Sequence, residues 1–189
     1  AEDAHDIKLH LAQLRPKDRL LVAIPPYTGM RRGEMLGLRW TDIDWSKRLI
    51  HVQRAVTYNS RNQPLIGSTK SEAGVREIPL EPALEALLAP IKGEGFIVYK
   101  DSPDQPMTEC TFYRAWERIG KTIDLHGATT HILRHTYITM AASRIDVKTL
   151  QTIAGHSDIN MTMNRYAHGR QDKLIAAGAA LQGMYQTAM

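Results

Sequence analysis

A change of hydrophobic period along the chain limits the possible folds most. Between Leu49 and Leu80 the apolar residues fall into short runs, Leu49-Ile50-His51-Val52, Pro64-Leu65-Ile66 and Val75-Arg76-Glu77-Ile78-Pro79-Leu80, separated by clusters of Asn, Ser and Gly. Runs of that length, punctuated that way, predict a small antiparallel sheet. Outside this block the period is helical. The run from Arg19 to Ile24 is apolar, Pro25-Pro26 interrupts it, and Arg31 to Leu38 resumes it with Met35, Leu36 and Leu38. Two adjacent prolines predict a kink or a broken helix. Downstream the spacing predicts helices over Glu81–Leu88, Thr108–Lys121, Thr130–Ser143, Val147–Ala154, Ile159–Tyr166 and Asp172–Met184, with a short strand at Phe96–Tyr99. The expectation is a mainly α fold with one small antiparallel β-sheet, an α+β domain.

No repeat, low-complexity block or linker divides the chain, and 189 residues suffice for one well-buried core, so a single domain over 1–189 is expected. Lysine and arginine number 24 against 20 acidic residues, a net charge of +4. That balance suits a phosphate-rich partner without demanding one. The single cysteine, Cys110, excludes an internal disulfide framework and reads as a small, buried apolar residue. No run approaches the roughly 18 apolar residues of a membrane span, and the start, Ala1-Glu2-Asp3-Ala4-His5-Asp6, is acidic where a signal peptide is basic. A soluble, cytoplasmic protein with no membrane partner is therefore expected.

Four segments carry polar groups that chemistry could use. In Thr28-Gly29-Met30-Arg31-Arg32-Gly33-Glu34, Arg31 and Glu34 share a helix face and can pair; taken alone this is an exposed ion pair of well under about 1 kcal/mol. On the Thr130 helix, His131, Arg134 and His135 fall on one side while Leu133, Tyr137 and Met140 face nearly the opposite way, which predicts an apolar side that pins the helix and a cationic side left free. His131 and His135 also have the i, i+4 spacing of zinc ligands, but the glutamate of a His-Glu-x-x-His motif is missing and no third ligand is near in sequence. Val147, Leu150, Ile153 and Ala154 form an amphipathic stripe that Gly155 can cap, holding His156 just beyond the helix end. Ten residues later comes Asn164-Arg165-Tyr166-Ala167-His168, in which Tyr166 continues the spacing of Ile159 and Met163, and His168 has no assigned role. Each segment alone has an ordinary structural reading: a surface charge, a helix-end histidine, a core tyrosine.

Taken in order, the segments point elsewhere. Thr-Gly-Met-Arg-x-x-Glu, a hairpin lysine, His-x-x-Arg-His, Gly-His and Arg-Tyr follow one another from Thr28 to His168, and in this the chain resembles the tyrosine recombinases of the phage integrase family. The resemblance implies that family's catalytic-domain fold and a metal-free enzyme that cuts and rejoins DNA. By position it makes Arg31 the first catalytic arginine with Glu34 supporting it, Lys70 the β-hairpin lysine and general acid, His131 and Arg134 the His-x-x-Arg pair, His156 the second histidine and Tyr166 the nucleophile. Ala154-Gly155-His156 stands where the family often has Leu-Gly-His, and Pro25-Pro26 is unusual in its helix.

With two arginines, a lysine and histidines supplying positive charge, and no Asp/Glu cluster to hold an ion, no metal or other cofactor is expected, and activity should resist EDTA. The resemblance further implies double-stranded DNA as partner, a homotetramer on DNA built by exchange of the tail helix after Tyr166, a monomer when free, and a bacterial or phage-encoded, nucleoid-associated protein. Full-length members carry an N-terminal DNA-binding domain, and nothing before Thr28 is long enough for it, so an excised catalytic domain is expected. Two rival readings exist: a zinc hydrolase built on His131, His135 and His156, which would lose activity with a chelator and survive Tyr166→Phe, and a DNA-binding module that has lost catalysis. Integrase, dimer resolvase and transposon recombinase share this site and are not separated by sequence.

Overall fold

The computed structural model describes residues 11–68, 74–125 and 127–155. Helix α1 (Pro16–Thr28) is followed by α2 (Arg32–Gly37), strands β1 (Ile43–Asp44), β2 (Leu49–Val52), β3 (Arg54–Tyr58), β4 (Pro64–Ser68) and β5 (Arg76–Pro79), then α3 (Pro82–Leu88), α4 (Glu109–Thr122), α5 (Thr130–Ala142) and α6 (Val147–Ala154). Short 3-10 turns at Leu11–Gln13, Trp40–Asp42 and Ala89–Ile91 fill the connections. The α+β expectation holds, with the strand block in the middle of a helical chain. Cys110, expected to be buried, is exposed in the first turn of α4.

The strands form two sheets where one was expected. β2 lies between β1 and β5 in an antiparallel three-stranded sheet, with Ile50 opposite both Ile43 and Ile78, and β3 and β4 make a separate hairpin in which Val56 faces Ile66. Along β2 burial alternates, and Ile50 and Val52 enter the core. Phe96–Tyr99, expected as a strand, makes only a single bridge between Phe96 and Arg39. Its backbone is instead spent on loop partners, Phe96 N–H on the Pro103 carbonyl (2.7 Å) and Ile97 N–H on the Leu38 carbonyl (2.9 Å), while Phe96, Ile97 and Val98 are buried. An apolar run reports burial, and burial alone does not make a strand.

Of the kink or break expected at Pro25-Pro26, the break does not occur: both prolines lie inside α1, which runs on to Thr28. They fall in its last turn, where their missing N–H groups leave the Leu21 and Val22 carbonyls without helical donors, and only two residues of helix follow them. The helix end is closed locally. Gly29 N–H bonds the Pro25 carbonyl (2.8 Å), and the buried Thr28 hydroxyl donates to the Ile24 carbonyl (2.7 Å) while accepting Met30 N–H (3.2 Å). Gly29 itself is left-handed, with φ 65°, and a Cβ there would lie 2.5 Å from Cδ1 of the Tyr137 ring. Gly29→Ala is therefore expected to lose at least the roughly 1–2 kcal/mol of a left-handed L-residue, plus the clash, read as a lower midpoint in urea unfolding. A midpoint within error of wild type would contradict this packing.

One large apolar core links α1 through α5 with the buried face of β2, and α5 closes on α6 through Ile138, Leu150 and Ala154. The charged side chains drawn into these contacts build the site.

Candidate active site

Three arginines meet at the C-terminal end of α6. Gly155 ends that helix in the left-handed conformation with φ 62°, its N–H turned to the Gln151 and Thr152 carbonyls, and the carbonyls that follow accept from arginines. The Arg76 Nε–H donates to the Ile153 carbonyl (2.6 Å), Arg134 Nη2 to Ala154 (2.7 Å) and Arg31 Nη2 to Gly155 (2.8 Å). Three successive acceptors are thus taken by guanidiniums from three different elements. The negative pole of the helix favours cations at this end as well.

Arg31 stands just ahead of α2 in extended backbone, and Glu34 reaches back to its N–H (2.8 Å). The same carboxylate accepts Arg31 Nη1 (2.8 Å) and both Nη groups of Arg76 (3.1 and 2.8 Å). Expected as an exposed pair, it is not one: the Glu34 side chain is 3% exposed and that of Arg76 is 1%, while Arg31 keeps 46% of its side chain open. Burial alone would raise the Glu34 carboxyl, but the hydrogen bonds and charge of Arg76, with those of Arg31, hold it below the usual glutamate range.

Arg134 corrects a second expectation. It is buried, 4% exposed, whereas Met140, assigned to the apolar side, is 44% exposed. The end of α1 and the end of α6 pack over the flank of α5 that carries Arg134, and its Nη1 donates to the Gly29 carbonyl. The face that pins α5 is therefore Leu133, Arg134 and Ile138, with Tyr137 half-buried beside them. His131 and His135 stay exposed, and His135 Nδ1 shares a 3.4 Å contact with the Thr139 hydroxyl.

Arg31, Glu34 and Arg134 are thus brought together, and His131 lies one turn before Arg134 on α5. Lys70, His156 and Tyr166 lie outside the described residues, as do the helices expected at Ile159–Tyr166 and Asp172–Met184. Arg76 is the residue that sequence reasoning misses. By sequence it is only part of a strand, and a lone arginine two residues before Ile78, on the same strand face, has no period of its own.

Three guanidiniums against one carboxylate leave an excess of positive charge beside the open side of Arg31, a setting for an anionic group. Tyr137, whose ring packs on Gly29, is not set up to ionise, since burial raises its phenol.

The sequence model of the phage integrase family matches residues 3–173. The chain belongs to this family. Among phage integrase relatives, the XerC-like tyrosine recombinase of Caldanaerobacter subterraneus subsp. tengcongensis is 26% identical over 88% of this chain and 49% of its own length. Tyrosine recombinase XerA of Saccharolobus solfataricus is 30% identical over 78% of this chain and 45% of its own. The chain thus spans about half the length of such relatives. Among solved structures, the integrase of transposon Tn1549 in complex with transposon right end DNA superimposes with a TM-score of 0.73 at 26% identity, covering 93% of this chain and 64% of that one. The catalytic domain of bacteriophage HP1 integrase gives 0.57 at 25% identity, covering 94% and 90%. The family's catalytic-domain fold is that of this chain.

Because the Glu34 carboxyl is held low, its share of stability is complete above the unfolded glutamate value of about 4.3 and is lost as pH falls through the lower folded value. Asp18 acts in the same direction: burial alone would raise its carboxyl, but Arg118 and Arg15 outweigh that and hold it low. The melting temperature is expected to be flat between about pH 7 and 5.5 and to fall steeply below about pH 4.5. Glu34→Gln should lower the plateau and flatten the fall; an unchanged acid slope would refute the assignment.

Proposed function

We propose that this chain is the catalytic part of a site-specific DNA recombinase, cutting and rejoining duplex DNA by transesterification through Tyr166. The observation that carries this reading is the placement of Arg31 and Arg134 on the adjacent carbonyls of Gly155 and Ala154, with an excess of positive charge and one side of Arg31 open. The complex of the Tn1549 integrase with transposon right end DNA supports DNA as the partner.

In this scheme the Tyr166 oxygen attacks the scissile phosphorus, the bond to the 5′ oxygen breaks, and a 3′-phosphotyrosyl ester forms. Arg31 and Arg134 hold the non-bridging oxygens, with charge-assisted hydrogen bonds of about 1.5–3 kcal/mol each. They also favour the phenolate that the nucleophile must become. Lys70 gives its proton to the departing 5′ oxygen, and His131 and His156 donate hydrogen bonds or move protons at the phosphate, steps of this kind being worth about 10²–10⁴ in rate. The ester keeps the energy of the broken bond, so a second 5′ hydroxyl reverses the attack without ATP. Guanidiniums and lysine supply the charge stabilisation, and the scheme calls for no metal or other cofactor. Assembly of four protomers on DNA through the tail after Tyr166 completes the proposal, with a monomer in the absence of DNA.

The test is a nicked suicide duplex, on which cleavage traps the enzyme. Wild type should yield a denaturation-resistant protein–DNA adduct mapped to Tyr166, with or without EDTA, and Tyr166→Phe should yield none. An adduct that persists in the phenylalanine variant, or one that a chelator abolishes, would overturn the proposal.

A further inference from the structure

At the opposite end of α1 from Gly29 there is a cavity of about 580 Å³ between the first turn of α1, the loop after Phe96 and the outer half of α4. That volume falls within the roughly 300–1,000 Å³ of small-molecule sites. The 13 residues of α1 put it about 20 Å from the carbonyl on which Arg134 closes, outside the arginine cluster described above.

Its walls carry five cationic side chains, Arg15, Lys17, Lys100, Arg114 and Arg118, against one carboxylate, Asp18. Asp18 is buried, its side chain 4% exposed, and both flanking arginines are spent on it: Arg118 as a fork at 2.7 and 3.0 Å, and Arg15 at 2.9 Å. One negative charge cannot neutralise two, but it fixes both guanidiniums in place. Lys17 stands with Nζ 3.8 Å from the centre of the Tyr99 ring and donates to the Lys100 carbonyl (2.9 Å). Lys100 pairs with Asp101 at the exposed rim (2.9 Å). Arg114, one turn before Arg118 on α4, makes no hydrogen bond or ion pair among the described residues. Pro16, Met107 and Ala115 give the floor an apolar surface.

Like charges crowded in one concavity repel, and an anion placed among them relieves that repulsion. The apolar floor and the Tyr99 ring fit a flat organic frame behind the anion. We propose that this cavity is a nucleotide site, in which Arg114 and Lys17 take a phosphoryl group and the floor takes its sugar and base. The same chemistry comes from a free nucleotide or from one residue of a DNA strand lying beyond the cleavage site.

The test titrates deoxyadenosine monophosphate into the chain by calorimetry, beside the Lys17→Ala, Arg114→Ala double variant, whose melting temperature is checked against wild type. Saturable binding is expected, with inorganic phosphate competing, deoxyadenosine failing to bind, and at least a tenfold loss in the variant. If a strand is the natural source, a 30-base-pair duplex displaces the nucleotide. The variant then loses duplex affinity too, and its salt slope on a log–log plot falls by about 2. If the source is free nucleotide, duplex leaves the nucleotide bound. A loss of duplex affinity and slope without nucleotide binding supports the strand alone. Nucleotide binding that the variant leaves intact, or no nucleotide binding together with unchanged duplex affinity, overturns the proposal. None of these readouts involves Tyr166 or strand cleavage, so they stand apart from the test of the proposed reaction.

Discussion

Lysine in place of Arg134 will slow adduct formation on a nicked duplex by about 10²–10³-fold, the loss expected when one donor to a transition-state oxyanion is removed. Arg134 reaches two carbonyls at once, that of Gly29 at the end of α1 and that of Ala154 at the end of α6, because the two Nη groups of a guanidinium lie in one rigid plane. A lysine has one nitrogen, and whichever partner it chooses, another is left without a donor in a buried place. Charge is conserved in this exchange, which separates geometry from simple electrostatics. Single-turnover cleavage at saturating enzyme is the measurement, with the melting temperature taken alongside. A lysine variant that folds and cleaves within a few-fold of wild type would remove Arg134 from the chemistry.

Arg76→Ala should cost about 3–5 kcal/mol of stability, because it leaves the Glu34 carboxylate buried with much of its compensation gone. Four hydrogen bonds leave together, two to Glu34 and one each to the Ile153 and Gly74 carbonyls. Arg31 alone then faces the carboxylate, and Arg31 is half open to water, where an ion pair is worth much less. Urea unfolding measures the loss. Removing both members of the pair, with Arg76→Met and Glu34→Leu, should recover part of it, since an apolar pair strands no charge. A single variant within about 1 kcal/mol of wild type would mean that the fork is not a fixed part of the fold.

Sequence reasoning reaches the elements whose period is strong and local. Val147–Ala154 is bounded correctly because its stripe and its terminal glycine agree, and the structure adds a cap in Asp146, which accepts Lys148 N–H (3.0 Å) and Thr149 N–H (2.9 Å). The Arg54–Tyr58 strand escapes it, since Val56 is its single fully buried side chain and one residue sets no period. Pro25-Pro26 mimics a break because the rule that proline interrupts helices does not see where the helix ends. The site divides the same way. Arg31, Glu34 and Arg134 stand out through their ordered motifs, but motif order does not say which side chains are buried. The burial of Arg134 and the role of Arg76 depend on contacts across 105, 42 and 77 positions, which no local window contains.

Those long separations bear on when the cation cluster can exist. Arg31 meets the Gly155 carbonyl across 124 positions, so the pair cannot form until the chain through α6 is present. Closing so long a loop costs chain entropy before the contact returns any stabilisation. A chain still emerging from the ribosome, or a fragment ending before α6, therefore holds its arginines without their anchoring carbonyls, and the phosphate chemistry proposed above is expected only of the finished fold.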